Sequence, residues 1–379
     1  MFRIAVIPGD GIGPEVVAES VKALKAIESV DADIDFAFDE YPWGTGYFHE
    51  HGSMMPDDGL DILRGYEAIL FGAVGSPDVP DHVTLRDLLL RIRIGFDQYV
   101  NLRPIQLLPG LVSELRSASP SDIDMVFVRE GTEGEYAGLG DRLYAHTDRE
   151  VALQTASFSR FGTKRVIRWA FELAHREGRR VTSISKANAL QYSGLLWDEV
   201  FAEVAEDYPD VETEELLVDA AAMFMVRDPA RFDVVVASNL FGDILTDLGA
   251  AIIGGMGVAA SASLNPERKF PSMFEPIHGS APDIAGTGTA NPLGSIWSTS
   301  LMLDHLGQER WGARLRAAVG HVLAAGDPQL RTPDLGGSGS TDSVGSAVVS
   351  QLASTPRAST SSESARWVAA THQPGPRTV

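Results

Sequence analysis

The sequence predicts an α/β protein in which helices cover a largely parallel β-sheet. Short apolar runs of strand character alternate with longer helical patterns along most of the chain. A glycine-rich turn separates the first predicted strand from the first predicted helix. With 379 residues, of which 44% are hydrophobic, the chain can bury a large core, as expected for two domains or one large α/β unit.

The predicted elements follow in chain order. The first helix is predicted to open with Pro14, where the missing N–H of proline does no harm. Strands are predicted at residues 3–7, 33–38, 67–72, 122–128, 180–185 and 233–237, and two of the helices at residues 160–176 and 195–206.

Two segments depart from this alternation. Residues 136–158 contain two runs, 143–146 and 151–154, that predict a β-hairpin arm. An arm that projects from an α/β body needs a partner surface, which indicates a dimer. From about Ser354 onward Ser, Thr, Pro and Arg dominate, so residues 354–379 are predicted to form a disordered tail.

Composition excludes several classes of function. The net charge of −21 disfavours nucleic acid and anionic membrane surfaces, because both require a basic footprint. The absence of cysteine excludes disulfides, thiolate catalysis and zinc–thiolate sites. The chain has no run of about 18 apolar residues and no signal peptide pattern at its start. The sequence therefore predicts a cytoplasmic protein.

Asp243 and Asp247 lie four residues apart in segment 240–248, which otherwise predicts an apolar helix. The spacing places both carboxylates on one helical face, where like charges destabilise by roughly 0.2–0.5 kcal/mol in water. A hard cation, Mg²⁺ or Mn²⁺, would convert this cost into a gain, since oxygen ligands favour such ions over zinc. Alternatively, both are solvated aspartates near a helix N-terminus.

The loop at residues 8–15 follows a predicted strand and precedes a predicted helix, which suggests phosphate or dinucleotide binding. Pro14 stands where the Rossmann pattern requires its third glycine, and no Gly-Lys-Ser/Thr follows. Both the Rossmann and the Walker A interpretations therefore fail. A tight turn is the simpler interpretation, and a cofactor site would have to be built elsewhere.

Three arginines would hold a small dicarboxylate if they converged, because the guanidinium fork pairs bidentately with carboxylates. Arg93 and Arg103 flank residues 94–102, and Arg129 follows a predicted strand, where α/β proteins place their ligands. Ordinary surface arginines are the alternative.

Three further residues have both a chemical and a structural interpretation. Lys186 follows a predicted strand and could act as a base if burial or a cation lowered its pKa; otherwise it is an exposed lysine. Asp219 likewise ends a predicted strand, 216–218, and then enters an apolar helical segment, 220–224, as a helix cap would. Tyr136 could donate a proton or simply pack.

Segment 275–286 offers a candidate cofactor site. Ser280 and Asp283 predict a capping box at the start of a helix, and exposed amides there would suit a pyrophosphate. A free carboxylate on Asp283 suits a ribose diol and repels a 2′-phosphate, which favours NAD over NADP. Capping alone remains the alternative for Asp283.

Together these segments resemble the β-decarboxylating dehydrogenase family, which includes isopropylmalate, isocitrate, homoisocitrate and tartrate/D-malate dehydrogenases. The resemblance runs from about Arg3 to about Gly345. It rests on motifs at residues 9–15, 101–104, 239–247 and 278–286, and the tartrate/D-malate branch is most similar at residues 80–85, 95–101 and 264–272.

The resemblance implies an isopropylmalate-dehydrogenase-like two-domain α/β fold with a β-rich dimerisation arm at about 136–158, not a true Rossmann fold. Residues 1–104 and 257–353 would form a discontinuous NAD-binding domain, and residues 105–256 a substrate, metal and dimerisation domain. It also implies a homodimer with shared active sites, in which the neighbouring subunit supplies Lys186 and Asp219.

The resemblance also assigns site residues. Lys186 would take the substrate hydroxyl proton, and Tyr136 would reprotonate the enol after CO₂ leaves. The substrate carboxylates would be held by Arg93, Arg103 and Arg129. The Mg²⁺ or Mn²⁺ ligands would be Asp219, Asp243 and Asp247. The NAD site would comprise His278, Gly279, Ser280, Ala281, Asp283, Ile284 and Asn291.

The implied reaction is NAD- and divalent-metal-dependent oxidative decarboxylation of a 2-hydroxy dicarboxylate, with K⁺ as a further activator. In a helix over residues 84–93, Leu90, Leu89 and Arg86 share the face of Arg93. The leucines suit an alkyl group, whereas Arg86 suits a polar or anionic one and replaces an aromatic residue usual in the tartrate/D-malate branch. The first prediction is a D-malate/tartrate-like substrate; the alternatives are 3-isopropylmalate and a homoisocitrate/isocitrate-type acid with a third carboxylate near Arg86.

Two other classes of function are less well supported. A catalytically silent subunit usually loses a metal ligand or the lysine, and here both are present. A phosphate-binding protein built on loop 8–15 would need the lysine that this loop lacks.

Overall fold

The structure is a computed structural model that describes residues 1–116 and 118–354. The chain divides into two compact units. Unit 1 comprises Met1–Phe96, Leu108–Leu111 and the described part of Gly255–Val379, and unit 2 comprises Asp97–Leu107 and Val112–Gly254. Of the predicted tail only Ser354 is described, as the last residue of the final helix, and residues 355–379 lie outside the described residues.

Twelve β-strands occur in the described residues, and all six predicted strands are among them. The largest shift is at the second strand, which starts at Phe36 instead of residue 33. The strands are β1 (Phe2–Gly9), β2 (Phe36–Glu40), β3 (Ala68–Ala73), β4 (Val100–Gln106), β5 (Asp124–Glu130), β6 (Gly134–Leu143), β7 (Val151–Ser157), β8 (Val181–Ser185), β9 (Thr213–Leu217), β10 (Val234–Ala237), β11 (Ala260–Leu264) and β12 (Ser272–Pro276).

Twelve α-helices occur in the same residues, and Pro14 lies in the first turn of the first, as predicted. A π-helical turn, Leu85–Leu89, joins the fourth helix to the fifth. The helices are α1 (Gly13–Val30), α2 (Thr45–His51), α3 (Gly59–Leu63), α4 (Asp81–Thr84), α5 (Leu90–Gly95), α6 (Arg160–Glu177), α7 (Ser193–Ala205), α8 (Val218–Arg227), α9 (Asn239–Ile252), α10 (Leu293–His305), α11 (Glu309–Ala324) and α12 (Thr341–Ser354).

Unit 1 contains five strands in the order β2-β1-β3-β12-β11. All neighbours are parallel except β11 and β12. Strand β3 is buried along its whole length, as expected for a parallel strand covered on both faces. Helix α10 is likewise buried throughout, so its side chains form the centre of this unit's core.

Unit 2 contains five strands in the order β4-β5-β10-β8-β9. Here β4 and β5 are antiparallel and the other neighbours are parallel. The predicted alternation of strands and helices and the largely parallel pairing are thus confirmed in both units. The helices of the described residues are too short or too polar to cross a lipid bilayer.

Strands β6 and β7 form a separate two-stranded antiparallel sheet, which confirms the predicted hairpin. Its outer part exposes apolar side chains, among them Leu139, Leu143, Tyr144, Val151 and Leu153. A two-stranded hairpin is marginally stable alone in water, and these side chains form an apolar surface that the described residues of the chain leave exposed.

Candidate active site

Strands β4 and β5 place two arginines side by side in unit 2. Their antiparallel register sets Asn101 opposite Arg129, so Arg103, two residues along β4, lies on the same face of the sheet. Both side chains are buried: Arg103 is 5% exposed and Arg129 is 2% exposed. The Arg103 Nε donates to Asn101 Oδ1 at 2.8 Å, which fixes its orientation.

Helix α9 supplies the opposite charges. It begins at Asn239, whose Oδ1 accepts hydrogen bonds from Arg129 Nη2 at 2.6 Å and Nε at 3.2 Å. A Cβ on Gly242 would lie 2.7 Å from the Arg129 side chain, so glycine permits the close packing of helix and arginine. The Asp243 Oδ1 lies 2.5 Å from Arg129 Nη1 and 3.3 Å from Arg103 Nη1.

Asp247 follows on the same face of α9, as predicted. Its Oδ1 lies 3.9 Å from Arg103 Nη1, and its side chain is 58% exposed. Partial burial raises the pKa of the Asp247 carboxyl, with Asp243 adding to the increase and Arg103 opposing it. A carboxylate that is disfavoured beside a second carboxylate is suited to bind a hard cation, and the oxygen-only pair fits Mg²⁺ or Mn²⁺.

Tyr136, in β6, joins this cluster. Its hydroxyl donates to Asp243 Oδ2 at 2.7 Å, and its ring centroid lies 5.5 Å from the Arg129 guanidinium carbon. Burial and the hydrogen bond to Asp243 raise the pKa of Tyr136 to about 12. The phenol therefore keeps its proton over the working range of most enzymes, as a proton donor requires.

Lys186 and Asp219 form a second pair in unit 2. Lys186 follows β8 as predicted, whereas Asp219 is the second residue of α8, so it lies inside the helix and not at a strand end. Lys186 Nζ donates to Asp219 Oδ1, and this bond lowers the pKa of the Asp219 carboxyl. The described part of one chain gathers no three acidic or histidine side chains into a metal site, so Asp219 does not complete the pair on α9 within the chain.

Arg93, the third predicted arginine, lies in α5 of unit 1 and is 7% exposed. Its Nη2 lies 2.5 Å from Oε1 of Glu275, whose side chain is also buried. The hydroxyl of Ser263 donates to the same carboxylate oxygen at 3.2 Å. Glu275 therefore neutralises part of the Arg93 charge and orients its guanidinium.

The segment before Arg93 is helical, but its π-helical turn changes the spacing argument. A π turn inserts one extra residue, so Arg86 is rotated by roughly a quarter turn from the face it would share with Arg93 in a regular α-helix. Arg86 is exposed. Leu90 precedes Arg93 by three residues within α5, so the two side chains lie on the same face of this helix. Leu89 instead packs against the core of unit 1.

The predicted capping box at Ser280 and Asp283 is wrong, because no helix begins there. Residues 282–288 form successive turns, and the next helix is α10. Gly286 and Gly288 adopt φ values of +75° and +67°, which a right-handed helix excludes. Asp283 is exposed, so it remains available to a ligand.

The residues around this turn segment nevertheless fit a cofactor. His278 Nε2 is buried without a hydrogen-bond partner among the described residues, and burial lowers the pKa of the imidazole. A Cβ on Gly279 would meet nothing within 4 Å, so space adjoins the backbone there. Asn291 is buried and donates to Asp334 Oδ2 at 3.0 Å. An orphaned buried donor or acceptor beside open space is expected where a polar ligand completes the site.

Several contacts in these clusters join residues that lie far apart in the sequence. Glu275 and Asp334 are single acidic residues far along the chain from Arg93 and from Asn291, so no local spacing revealed their pairing. Asn239 stands at the start of the 239–247 motif, and its place before the first predicted helical residue was a usable signal. Glu15, whose carboxylate accepts hydrogen bonds from the backbone N–H groups of Gly286 and Gly288, is predicted from the sequence only as part of loop 8–15.

The fold and these clusters define an α/β enzyme with an anion-binding cluster of arginines beside paired carboxylates. The chain belongs to the isocitrate/isopropylmalate dehydrogenase family, which it matches over residues 3–348. As a member it is a β-decarboxylating dehydrogenase that acts on a small hydroxy acid, and the predicted family and fold class are confirmed.

Two curated relatives and one solved structure illustrate the match. The chain is 48% identical to the "Probable tartrate dehydrogenase/decarboxylase TtuC'" of Agrobacterium vitis, covering 93% of this chain and 98% of the relative. It is 50% identical to the 3-isopropylmalate dehydrogenase of Thermobifida fusca, with the same coverages. The isocitrate dehydrogenase structure from Methylococcus capsulatus has a TM-score of 0.84, is 36% identical, and covers 93% of this chain and 99% of its own.

Proposed function

We propose that the protein catalyses the NAD- and divalent-metal-dependent oxidative decarboxylation of a D-malate/tartrate-like 2-hydroxy dicarboxylate. The observation that carries this proposal is the cluster on unit 2, in which two buried arginines converge on the carboxylates of α9 and on Tyr136. Buried guanidinium groups next to a carboxylate pair suit a substrate that brings its own carboxylates together with a hard cation.

Each residue of the cluster has a role in the proposal. Arg103 and Arg129 bind substrate carboxylate oxygens, and Arg93 of unit 1 is the third substrate arginine. Asp243 and Asp247 would hold Mg²⁺ or Mn²⁺, which supplies Lewis-acid polarisation of the substrate oxygens and stabilises developing negative charge. Tyr136 gives its hydroxyl proton to the carbon that loses CO₂.

Lys186 and Asp219 are assigned to the same reaction from the neighbouring subunit of a homodimer. Lys186 takes the proton of the substrate hydroxyl, and Asp219 is the third metal ligand. Exposed apolar residues support a dimer: besides the hairpin, α8 exposes Met223 and Val226, and α9 exposes Ile244. Apolar residues exposed together on neighbouring helices are typical of a surface that a second copy covers.

NAD, when bound, would supply the acceptor for the hydride on the substrate carbon that carries the hydroxyl. Residues 278–291 of unit 1 are proposed to bind it through His278, Gly279, Ser280, Ala281, Asp283, Ile284 and Asn291. Asp283 is exposed and would bind a ribose diol, so it favours NAD over NADP. The division into an NAD-binding domain, 1–104 with 257–353, and a substrate domain, 105–256, belongs to this proposal, as do K⁺ activation and a cytoplasmic location.

3-Isopropylmalate is the second candidate substrate. Leu90 is half-buried on the face of Arg93, and an apolar side chain there suits an alkyl substituent. The near-equal identities to the two kinds of curated relative, 48% and 50%, do not separate these substrates. A homoisocitrate/isocitrate-type acid has a third carboxylate, and exposed Arg86 is the candidate for the further cationic side chain that this carboxylate would need.

A substrate panel tests the proposal. The purified protein is mixed with NAD or NADP and with D-malate, tartrate, 3-isopropylmalate, homoisocitrate or isocitrate, and both reduced nicotinamide and released CO₂ are measured with Mn²⁺ or with a chelator. We expect the highest kcat/KM with NAD and D-malate or tartrate, equal yields of both products, and no turnover with chelator. A higher kcat/KM with 3-isopropylmalate would make that acid, instead of D-malate or tartrate, the proposed substrate. Turnover in the presence of chelator would overturn the metal-dependent mechanism.

A further inference from the structure

The glycine-rich loop at residues 8–15 has no role in the proposed function. It nevertheless contacts residues 278–291, the segment proposed to bind NAD, which is called the cofactor segment below. The backbone N–H of Ile12 donates to the Ser280 carbonyl oxygen at 2.8 Å. Gly11 has a φ of +57°, and a Cβ there would lie 1.9 Å from the same oxygen. Only glycine therefore lets the loop approach the segment so closely.

Glu15, in the first turn of α1, holds the other end of the segment. Its Oε1 accepts a hydrogen bond from the Gly286 N–H at 2.6 Å, and its Oε2 accepts one from the Gly288 N–H at 3.0 Å. Hydrogen bonds to an ionised acceptor are stronger than neutral ones. One side chain thus fixes two backbone groups within the turns that replace the predicted helix.

Apolar packing adds a third contact between the segment and the start of α1. Ile12 and Val16 form a buried cluster with Ala290, against which Ala281, Ile284 and Ala285 pack. The segment is therefore attached to the start of α1 along its length, whereas Asp283, on its other side, stays exposed.

The loop that holds the segment is itself anchored. Asp10 is 7% exposed, and its Oδ1 accepts hydrogen bonds from the backbone N–H of Thr45 at 2.7 Å and from its hydroxyl at 2.6 Å. Its Oδ2 accepts one from the Gly75 N–H at 2.9 Å. Three hydrogen bonds to the Asp10 carboxylate hold the loop in place, and this fixes the position of Glu15 at the start of α1.

We propose that Glu15 is a positioning residue that sets the conformation of residues 281–288 for dinucleotide binding. The inference rests on the cofactor site of the proposed function. Since the Glu15 carboxylate occupies the Gly286 and Gly288 amides, those amides are not donors to the cofactor pyrophosphate. Glu15 therefore acts through the segment, on the affinity for the cofactor and not on the chemical step.

The test compares Glu15→Gln with Glu28→Gln. Glu28 is a matched control, because it lies on the same helix and its Oε1 also accepts from a backbone amide, that of Phe36 at 2.5 Å. We expect Glu15→Gln to raise the KM for NAD about tenfold, the size of one lost charge-assisted hydrogen bond, with kcat unchanged. Glu28→Gln should leave both constants at their wild-type values.

Hydrogen–deuterium exchange of the full chain without cofactor gives a second readout. Peptides covering residues 281–290 should exchange faster in Glu15→Gln than in wild type, while Glu28→Gln should leave them unchanged. Equal KM and equal exchange in the two variants would overturn the proposal, and so would a fall in kcat with unchanged KM. If Glu15→Gln does not fold, Glu15→Asp, which keeps the charge on a shorter side chain, decides: an unchanged KM overturns the proposal.

Failure of the proposed function would be recognised separately. A wild-type protein that does not bind NADH in a fluorescence titration has no dinucleotide site at these residues. The exchange comparison needs no cofactor, so it would still show whether Glu15 fixes the segment.

Discussion

Lys186 and Asp219 are hydrogen-bonded to each other, and within one chain they are not gathered with Asp243 and Asp247 into a three-ligand metal site among the described residues. In the proposed function these groups are two half-sites: a lysine with one carboxylate, and an arginine cluster with two. The proposed homodimer would join one half-site of each subunit. The following substitutions test the parts of this arrangement.

Asp243→Asn should abolish metal-dependent turnover and also destabilise the fold. Its carboxylate faces Arg129, which is 2% exposed, so the substitution leaves a buried guanidinium with less charge compensation. We expect the free energy of unfolding to fall by about 1–3 kcal/mol in urea denaturation. The exposed Asp57 is a suitable site for a control Asp→Asn substitution. Full activity with Mn²⁺ would remove Asp243 from the metal site.

Asp247→Asn should stabilise the metal-free protein at pH 7. The folded state raises the pKa of Asp247, so ionising it costs stability above that pKa, and the cost disappears as the pH falls to the ordinary value of 3.8. We expect a slightly higher Tm, because the substitution removes the desolvation cost that is the largest cause of the raised pKa, and the gain is small since the side chain is 58% exposed. Adding Mg²⁺ should raise the Tm of wild type but not of the variant; a Tm that falls in the variant would contradict the electrostatic account.

Comparing Tyr136→Phe with wild type measures the pKa of the Tyr136 phenol. Folding raises the pKa of Tyr136 from 10.0 to about 12, so the stabilisation that the protonated phenol gives is complete below pH 10 and is lost as the pH rises through about 12. In a tyrosinate absorbance titration, the difference between wild type and variant should be a single group with a midpoint near 12. A midpoint near 10 would mean that Tyr136 is solvated and not held by Asp243.

Leu90→Thr tests which side chain near Arg93 selects the substrate. Leu90 keeps the face of Arg93 despite the π-helical turn, so losing its apolar group should lower kcat/KM for 3-isopropylmalate about tenfold relative to D-malate. Arg86→Trp is the comparison, because the turn rotates Arg86 away from that face. A larger change in substrate ranking from Arg86→Trp would show that Arg86 reaches the ligand.

Local signals in the sequence predicted much of the fold and part of the site. The helix that carries Asp243 and Asp247, the hairpin and the strand before Arg129 each follow from the spacing of residues within one segment. The Arg93–Glu275 pair joins residues far apart in the chain, which no local spacing reveals. The capping box at Ser280 and Asp283 was wrong because Glu15 binds two of the backbone amides that a helix would need.

Subunit complementation tests most directly whether the two half-sites form one catalytic centre. Lys186→Ala and Asp243→Asn proteins should each be inactive. When they are unfolded together, refolded and assayed with Mn²⁺, half of the dimers will be mixed, and each mixed dimer will have one intact site. The account predicts about a quarter of wild-type activity. Activity no higher than that of either parent, in dimers shown to have exchanged, would contradict it.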